Sequence, residues 1–186
     1  MFKQFLSVLV IFVSFKKLEF QLLQSGNCPV IYSVPNFNIL AFSGTWYDVA
    51  NIPIPTLNLG KCVSANYNVD SLNVVHISIN YYDGKQMKQL NNAFTITNST
   101  GAYYIQIPAV NMNFEFAIID TDYSTYGVTY GCAKLGRLKI QLAWILSRKP
   151  TLSYNFYAKA ISALKQRKLP YKNMKNITQT YCPTIY

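Results

Sequence analysis

The hydrophobic residues of this chain recur in short runs that are separated by turn-forming residues. Between residues 46 and 147, runs rich in Tyr, Phe, Ile and Val alternate with Asp, Asn, Gly and Pro. Short runs of aromatic and β-branched residues with such punctuation are typical of β-strands. The pattern predicts strands at residues 46–52, 62–69, 73–82, 89–97, 103–107, 114–119, 126–132 and 139–147.

The near-regular spacing of these strands favours an all-β, antiparallel up-and-down arrangement. Tight turns such as Asp83-Gly84 would join neighbouring strands. Eight strands can close into a barrel that has no exposed edge and that encloses room for one small ligand. From this pattern alone, a β-sandwich remains the alternative.

A helical period follows the last predicted strand. Apolar residues recur there at three- and four-residue steps, as expected for one face of an α-helix: Phe156, Tyr157, Ala160, Ile161 and Leu164. Thr151 or Ser153 is the expected N-cap, and Leu169-Pro170 ends the pattern. We expect one C-terminal helix, packed outside the barrel with its apolar face inward.

The N-terminus has the pattern of a secretory signal peptide. Lys3 precedes an apolar run at residues 5–15, which is too short to span a bilayer. Lys16 and Lys17 follow this run, and no small-residue cleavage motif comes soon after. We expect a leader at residues 1–25 and one domain at 26–186, with a buried N-terminal helix as the alternative.

The four cysteines are scattered along the chain and contain no C-x-x-C motif. They are Cys28, Cys62, Cys132 and Cys182. An even number of scattered cysteines behind a leader predicts two disulfides in a secreted protein, with three possible pairings. Asn98 and Asn176 begin N-glycosylation sequons, which fits the same compartment.

The charge of the chain is one-sided. The formal net charge is +10, and no acidic residue follows Asp122, whereas eleven basic residues do. We expect the basic residues after Asp122 to form mainly a solvated face. Weak contact with lipid surfaces or polyanions is the alternative. Nucleic-acid binding fits poorly with a secreted chain that has no recognition motif.

Three spaced motifs resemble those of the lipocalin family. They are Gly44-Thr45-Trp46, Thr121-Asp122-Tyr123 and Arg148. The chain is most similar to the apolipoprotein D and insect bilin-binding group. That likeness lies in CVSANYNV (62–69), TDYSTYGVTYGC (121–132), AWILSRKPTLS (143–153) and TQTYCP (178–183). Any one motif is weak evidence, but their order and spacing fit from about residue 28 to residue 183.

The resemblance implies an eight-stranded lipocalin barrel and a disulfide pairing. Its disulfides would be Cys28–Cys132 and Cys62–Cys182. Trp46 would lie at the closed end with Arg148 stacked across it, and Asp122 would fix a loop there. Such stacking makes physical sense, since a guanidinium packs on an indole face while its donors satisfy carbonyls.

The resemblance also implies a set of ligand contacts. Trp144 is the first candidate, followed by Tyr67 and Phe116. Phe114 and Ile118 share the face of Phe116 by strand alternation. In the third predicted strand, alignment with the family would place Ser78 and Tyr82 inward, and we prefer this assignment. Hydrophobicity favours the opposite face, which carries Ile77, Ile79 and Tyr81.

Catalysis has little support in the sequence. His76 is the only histidine, and no nucleophile motif surrounds any serine. Paired cysteines would leave no free thiol for a lipocalin-type isomerase or synthase. Haem ligation by His76 is a weaker alternative to a packed or solvated histidine. We expect no metal site, no obligatory cofactor and no enzymatic activity.

The expected function is that of a secreted carrier for a small hydrophobic ligand. A bilin such as biliverdin, or a lipid such as a fatty acid or a sterol, is the class that the resemblance implies. The alternative is a secreted interaction protein whose barrel is filled by its own side chains and which acts through its basic surface. A monomer or a weak homo-oligomer fits either hypothesis.

Overall fold

The computed structural model of the chain describes residues 23–54, 57, 59–96, 102–107 and 111–183. Within these residues, one antiparallel sheet forms a nearly closed eight-stranded barrel, with one long helix on its outside. The lipocalin-type fold expected from the sequence is confirmed. No helix in the described part of the chain is long and apolar enough to cross a membrane.

Eight strands form the barrel wall, and two short strands attach to it. In chain order, the elements are β1 (Leu23–Ser25), α1 (Ile39–Phe42), β2 (Gly44–Asn51), β3 (Lys61–Val69), β4 (Val75–Tyr82), β5 (Met87–Phe94), β6 (Tyr103–Ile107), β7 (Met112–Thr121), β8 (Tyr126–Leu135), β9 (Leu138–Ser147), α2 (Tyr154–Gln166) and β10 (Lys175–Asn176). The eight predicted strands are β2 to β9, with shifts of a few residues at their ends.

The order of the wall strands is β5-β4-β3-β2-β9-β8-β7-β6. Strands β5 and β6 therefore meet where the barrel closes, and no backbone pairing joins them among the described residues. Side chains join them instead, because the rings of Phe94 and Tyr103 stack with centroids 3.9 Å apart. Outside this path, β1 pairs with β9 and β10 pairs with β2.

Alternation along the strands separates two hydrophobic cores. Inward residues such as Trp46, Tyr67 and Phe114 fill the barrel interior. Outward residues such as Val128 and Ile145 pack beneath α2, which buries Ala160, Ala163 and Leu164 against them. Helix α2 begins after Ser153, one of the two predicted N-caps.

Both disulfides implied by the resemblance are present. Cys28 bonds to Cys132 of β8, and Cys62 of β3 bonds to Cys182. These bonds tie the segments before β2 and after β10 to the barrel wall. Each closes a loop of more than 100 residues, for which chain-entropy arguments give a stabilisation of roughly 4–5 kcal/mol.

Part of the expected leader lies outside the described residues, namely 1–22. Leu23–Ser25, which the expected leader also includes, form β1 and pair with Leu138–Ile140 of β9. The cleavage position therefore stays a prediction. The sequon at Asn98 also lies outside the described residues, whereas Asn176 is exposed in β10.

Candidate functional site

The closed end of the barrel is built from the sequence motifs. Trp46 is fully buried there, and its indole N–H donates to the carbonyl of Phe42 at 2.7 Å. The guanidinium carbon of Arg148 lies 3.8 Å from the centre of the Trp46 ring. Gly44 has a φ of +93°, which favours glycine, and a Cβ there would lie 3.4 Å from Arg148 Nη1.

Arg148 closes this end by donating hydrogen bonds to main-chain carbonyls. Its nitrogens lie 3.0 to 3.3 Å from four main-chain carbonyl oxygens, those of Ala41, Phe42, Thr45 and Tyr123. The side chain thus joins α1, the start of β2 and the β7–β8 turn. These contacts fit the structural role that we expect for Arg148 and Trp46.

The β7–β8 turn is held by its own polar side chains. Asp122 Oδ1 accepts hydrogen bonds from the main-chain N–H groups of Ser124, Thr125 and Tyr126. Partial burial acts to raise the pKa of Asp122, but these hydrogen bonds outweigh it and lower the pKa. Thr121 Oγ1 donates to the Tyr126 carbonyl and accepts from the Tyr123 N–H.

The barrel interior above Trp46 contains a cavity of about 170 Å³. Every wall strand contributes at least one residue to its lining, which includes Asp48, Val63, Tyr67, Ile77, Leu90, Tyr103, Phe116, Thr129, Trp144 and Leu146. Near the mouth, Ile54, Leu57 and Leu59 contribute apolar side chains, and the Leu57 N–H donates to the Ile54 carbonyl at 2.9 Å. The lining is therefore mostly aliphatic and aromatic.

A row of aromatic rings occupies one side of the interior. Tyr103, Phe116 and Trp144 follow one another with centroid distances of 5.8 and 5.6 Å, and Phe94 stacks on the far side of Tyr103. Gly131 of β8 makes room for this row, because a Cβ at that position would overlap the ring of Phe116. The rings narrow the cavity without filling it.

Three of the proposed ligand contacts lie on the cavity wall. Tyr67, Phe116 and Trp144 line it together. Phe114 and Ile118 belong to the same interior core but do not line the cavity. The sequence therefore located the correct faces of β3, β7 and β9, while these residues' contact with a ligand stays a proposal.

The inward orientation expected for Ser78 and Tyr82 is wrong. Ser78 lines a polar groove on the outer surface, and the Tyr82 hydroxyl donates to the Gly84 carbonyl at 3.1 Å. Ile77 and Ile79 face the cavity instead. The inward face of β4 is apolar because burial of Ser78 would leave its hydroxyl without water. Hydrophobicity therefore predicted the inward face of this strand better than alignment with the family did.

His76 lies on the same outer face as Ser78. It is exposed, and its Nε2 lies 2.9 Å from Asp70 Oδ2. It cannot reach the cavity, which contradicts the hypothesis that it binds haem inside the barrel. All four cysteines are paired, and no group of three metal-ligating side chains occurs among the described residues.

One polar residue of the cavity was missed by the sequence analysis. Asp48 of β2 is only 3% exposed and lines the cavity, two residues after Trp46 on the same side of the strand. Its Oδ2 accepts a hydrogen bond from Asn51 Nδ2 at 2.6 Å, whereas its Oδ1 has no partner among the described residues. Strand alternation from Trp46 could have revealed it.

A β-bulge explains how Asn51 reaches Asp48. The pairing of β2 with β9 shifts between Asp48 and Ala50, so Asp48 opposes Leu146 while Asn51 opposes Trp144. Leu146 and Trp144 both line the cavity, and Ala50 faces α2 instead. The extra residue thus places Asp48 and Asn51 on one face despite their odd spacing.

Burial changes the protonation of the polar groups in the cavity. Loss of hydration raises the pKa of Asp48 to about 7, although hydrogen bonds from Asn51 and the Ala50 backbone act in the opposite direction. Burial also raises the pKa of Tyr67 to about 12 and that of Tyr103 well above its usual value. Both phenols are therefore neutral under physiological conditions, whereas Asp48 titrates there.

The chain matches known proteins along most of its length. The Lipocalin / cytosolic fatty-acid binding protein family matches residues 43–181. Insecticyanin-B of Manduca sexta is 28% identical over 152 residues, which cover 70% of this chain and 67% of that protein. Apolipoprotein D of Rattus norvegicus is 24% identical over 177 residues, covering 87% and 90%.

Solved structures share the same fold. Lobster apocrustacyanin A1 superposes with a TM-score of 0.71 at 21% sequence identity, covering 85% of this chain and 91% of that one. At this identity the likeness concerns the barrel and its helix, and it does not extend to the ligand.

Proposed function

Because the chain belongs to the lipocalin / cytosolic fatty-acid binding protein family, we propose that it is a secreted carrier of one small apolar molecule. The family binds small hydrophobic ligands such as bilins, and its members are typically carriers without enzymatic activity. The observation that carries the proposal is the apolar cavity bounded by Tyr67, Phe116 and Trp144.

The driving force for binding is the burial of apolar ligand surface. Each Å² of apolar surface removed from water contributes about 25 cal/mol before the entropy of association is subtracted. Trp144 and Phe116 offer flat ring faces to a ligand, and Ile77 and Ile79 offer branched chains on the opposite wall. Such a lining binds through shape and hydrophobicity more than through charge.

The size of the cavity favours a slender ligand. A buried apolar cavity of about 150 Å³ is known to hold benzene, and the cavity here measures about 170 Å³. A short acyl chain or a single ring therefore fits without rearrangement. A bilin, which has four pyrrole rings, would require movement of mouth residues such as Leu57 and Leu59.

The alternative hypothesis of a filled barrel has less support. The aromatic row does occupy part of the interior, but a cavity remains beside Trp144. Most basic residues after Asp122 are exposed and spread over the β8–β9 turn, α2 and the segment after it. This spread favours a solvated surface over one concentrated binding patch.

Secretion is supported by the two disulfides. Disulfides persist in oxidising compartments and are rare in the cytosol. Both bonds have partners far apart in the chain, at separations of 104 and 120 residues. We therefore assign the protein to the extracellular space, which expression in a secreting cell line and assay of the medium would test.

The carrier proposal can be tested by calorimetric titration with 1-octanol. We expect saturable one-to-one binding to the folded protein. The Ala65→Phe variant should lose it, because Ala65 lines the cavity and a ring there would fill it. The Ala93→Phe variant is the matched control, since Ala93 is exposed on β5. Circular dichroism would verify that both variants fold.

The same titration distinguishes the other hypotheses. Absence of saturable 1-octanol binding to the wild-type protein would contradict the carrier proposal and favour the filled barrel. Binding of biliverdin in competition with 1-octanol would show that the mouth opens for larger ligands. Binding that Ala65→Phe leaves unchanged would place the ligand outside the barrel.

A further inference from the structure

Two buried polar atoms belong to residues of the cavity wall and have no hydrogen-bond partner among the described residues. They are Oδ1 of Asp48 and Oγ1 of Thr129, whose residues are 3% and 5% exposed. Both residues line the cavity, from β2 and β8 respectively. Strand β9 lies between these two strands and contributes Trp144 and Leu146 to the wall. The two residues therefore lie on one side of the interior, Asp48 opposite Leu146 and Thr129 opposite Trp144.

An unpaired polar atom in an apolar cavity is unfavourable, because it has lost its bonds to water. Asn51 donates to Oδ2 of Asp48, whereas Oδ1 has no partner among the described residues. In Asp122, by comparison, one oxygen alone accepts three main-chain hydrogen bonds. The missing partner of Asp48 is thus expected to come from the cavity contents.

We propose, building on the carrier function above, that Asp48 determines ligand specificity by accepting a hydrogen bond from an O–H or N–H group of an otherwise apolar ligand. The ligand class is therefore an apolar molecule with a buried donor, such as an alcohol, an amide or a pyrrole. Apolar molecules that carry only acceptors are selected against when Asp48 is ionised.

The protonation of Asp48 makes this selectivity dependent on pH. Burial raises its pKa to about 7, so above this pH the carboxylate accepts hydrogen bonds. Below it, the proton resides on Oδ1, because Oδ2 is held by the Asn51 donor. Protonated Asp48 then donates to a ligand acceptor, and selection for donors is lost.

Asp48 is the one carboxylate in the described lining, whose other polar side chains are the amide of Asn92 and three hydroxyls. Within the described residues, the remaining titratable side chains of the lining are Tyr67 on β3 and Tyr103 on β6. Burial raises both pKa values, so both phenols stay neutral from pH 5 to pH 9. No Lys, Arg or His side chain is part of the described lining.

The test compares 1-octanol with 2-octanone, which have the same number of carbon atoms but of which only the alcohol is a donor. At about pH 8.5, the wild-type protein should bind 1-octanol roughly 10-fold more tightly, which is the size expected for a hydrogen bond to a charged acceptor. At about pH 5.5, the two dissociation constants should agree within about 3-fold. Calorimetry measures both.

The Asp48→Asn variant should remove the discrimination at both pH values. In this variant the amide oxygen must accept from Asn51, so the amide nitrogen faces the cavity as a donor. The ratio of the two dissociation constants should then fall to within about 3-fold. Asp120→Asn is the matched control, since Asp120 lies outside the cavity lining and accepts from the Tyr126 hydroxyl.

The outcomes separate this inference from the carrier function. If neither ligand binds the wild-type protein, both proposals are overturned. If both bind equally at about pH 8.5, or if Asp48→Asn retains the wild-type ratio, the role of Asp48 is overturned while the carrier function stands. A water molecule permanently bound to Asp48 would give this second result.

Discussion

The closed end of the barrel and the cavity treat their polar groups in opposite ways. At the closed end, Arg148 and Asp122 are held by hydrogen bonds to main-chain groups. In the cavity, Asp48 and Thr129 each keep an oxygen without a partner. The comparison teaches that polar side chains satisfied by the main chain hold the fold, whereas unsatisfied ones remain available to a ligand.

The largest expected effect concerns Arg148. Replacement by Met should destabilise the protein by about 3 kcal/mol, because the carbonyls of Thr45, Phe42 and Tyr123 lose their donor and Trp46 loses its cation. Urea denaturation measures this loss. Binding of 1-octanol should be unchanged as long as the variant is folded. The control Lys149→Met, at an exposed position, should stay within about 0.5 kcal/mol.

The next largest effect concerns Asp48, whose replacement should stabilise the protein at high pH. Its pKa of about 7, raised from 3.8, means that the folded protein binds this proton more tightly than the unfolded chain. The stability from this group is complete below about pH 4 and is lost as the pH rises through 7. The full shift corresponds to about 4 kcal/mol, of which we expect roughly half because water entering the cavity screens the charge.

Asp48→Asn should therefore be about 2 kcal/mol more stable than the wild type near pH 8.5. The advantage should shrink steadily as the pH falls toward 4, where the wild-type carboxyl is neutral. Denaturation curves at several pH values measure this difference. A pH-independent difference between the two proteins would show that Asp48 titrates normally.

Two glycines of β8 extend the contrast between the closed end and the cavity. Gly131→Ala should cost about 1–2 kcal/mol and weaken 1-octanol binding, because its methyl group would push the Phe116 ring into the cavity. Gly127→Ala meets Phe42 at the closed end, with its Cβ 3.0 Å from the Phe42 ring. It should lower stability alone. Equal effects on binding would contradict the separation of the two regions.

The smallest expected effects come from replacing a threonine by valine, once at the closed end and once in the cavity wall. Thr121→Val should cost about 1 kcal/mol, since Thr121 bonds the backbone of Tyr123 and Tyr126. Thr129→Val should instead gain about 1 kcal/mol, because it removes an unpaired buried hydroxyl. Thermal unfolding of both variants measures the two signs. A loss at Thr129 would mean that its hydroxyl is bonded in solution.

The closed end could be predicted because its motifs resemble those of a family. Gly44 and Trp46 alone are weak evidence, and the stack of Arg148 on Trp46 was implied by the resemblance. The disulfide pairing likewise came from the resemblance, since four scattered cysteines alone allow three pairings. Strand alternation also predicted the interior face of β7, where Phe114, Phe116 and Ile118 lie.

The cavity was harder to predict because it depends on register and packing. The inward face of β4 was assigned to Ser78 through alignment with the family, although Ile77 and Ile79 occupy it. The bulge that brings Asn51 to Asp48 leaves no sign in the sequence. The volume left beside the aromatic row likewise depends on how Phe116 packs over Gly131.

The two tryptophans of the chain permit the most direct test of the central claim, which is that a ligand binds in the cavity and not at the closed end. Trp144 lines the cavity, whereas Trp46 is fully buried beneath Arg148. The measurement is a fluorescence titration with 8-bromo-1-octanol, whose bromine quenches only an indole that it approaches closely. We predict saturable quenching of the wild-type protein and none of the Trp144→Phe variant. Quenching that persists in Trp144→Phe, or no quenching of the wild type, would contradict the account.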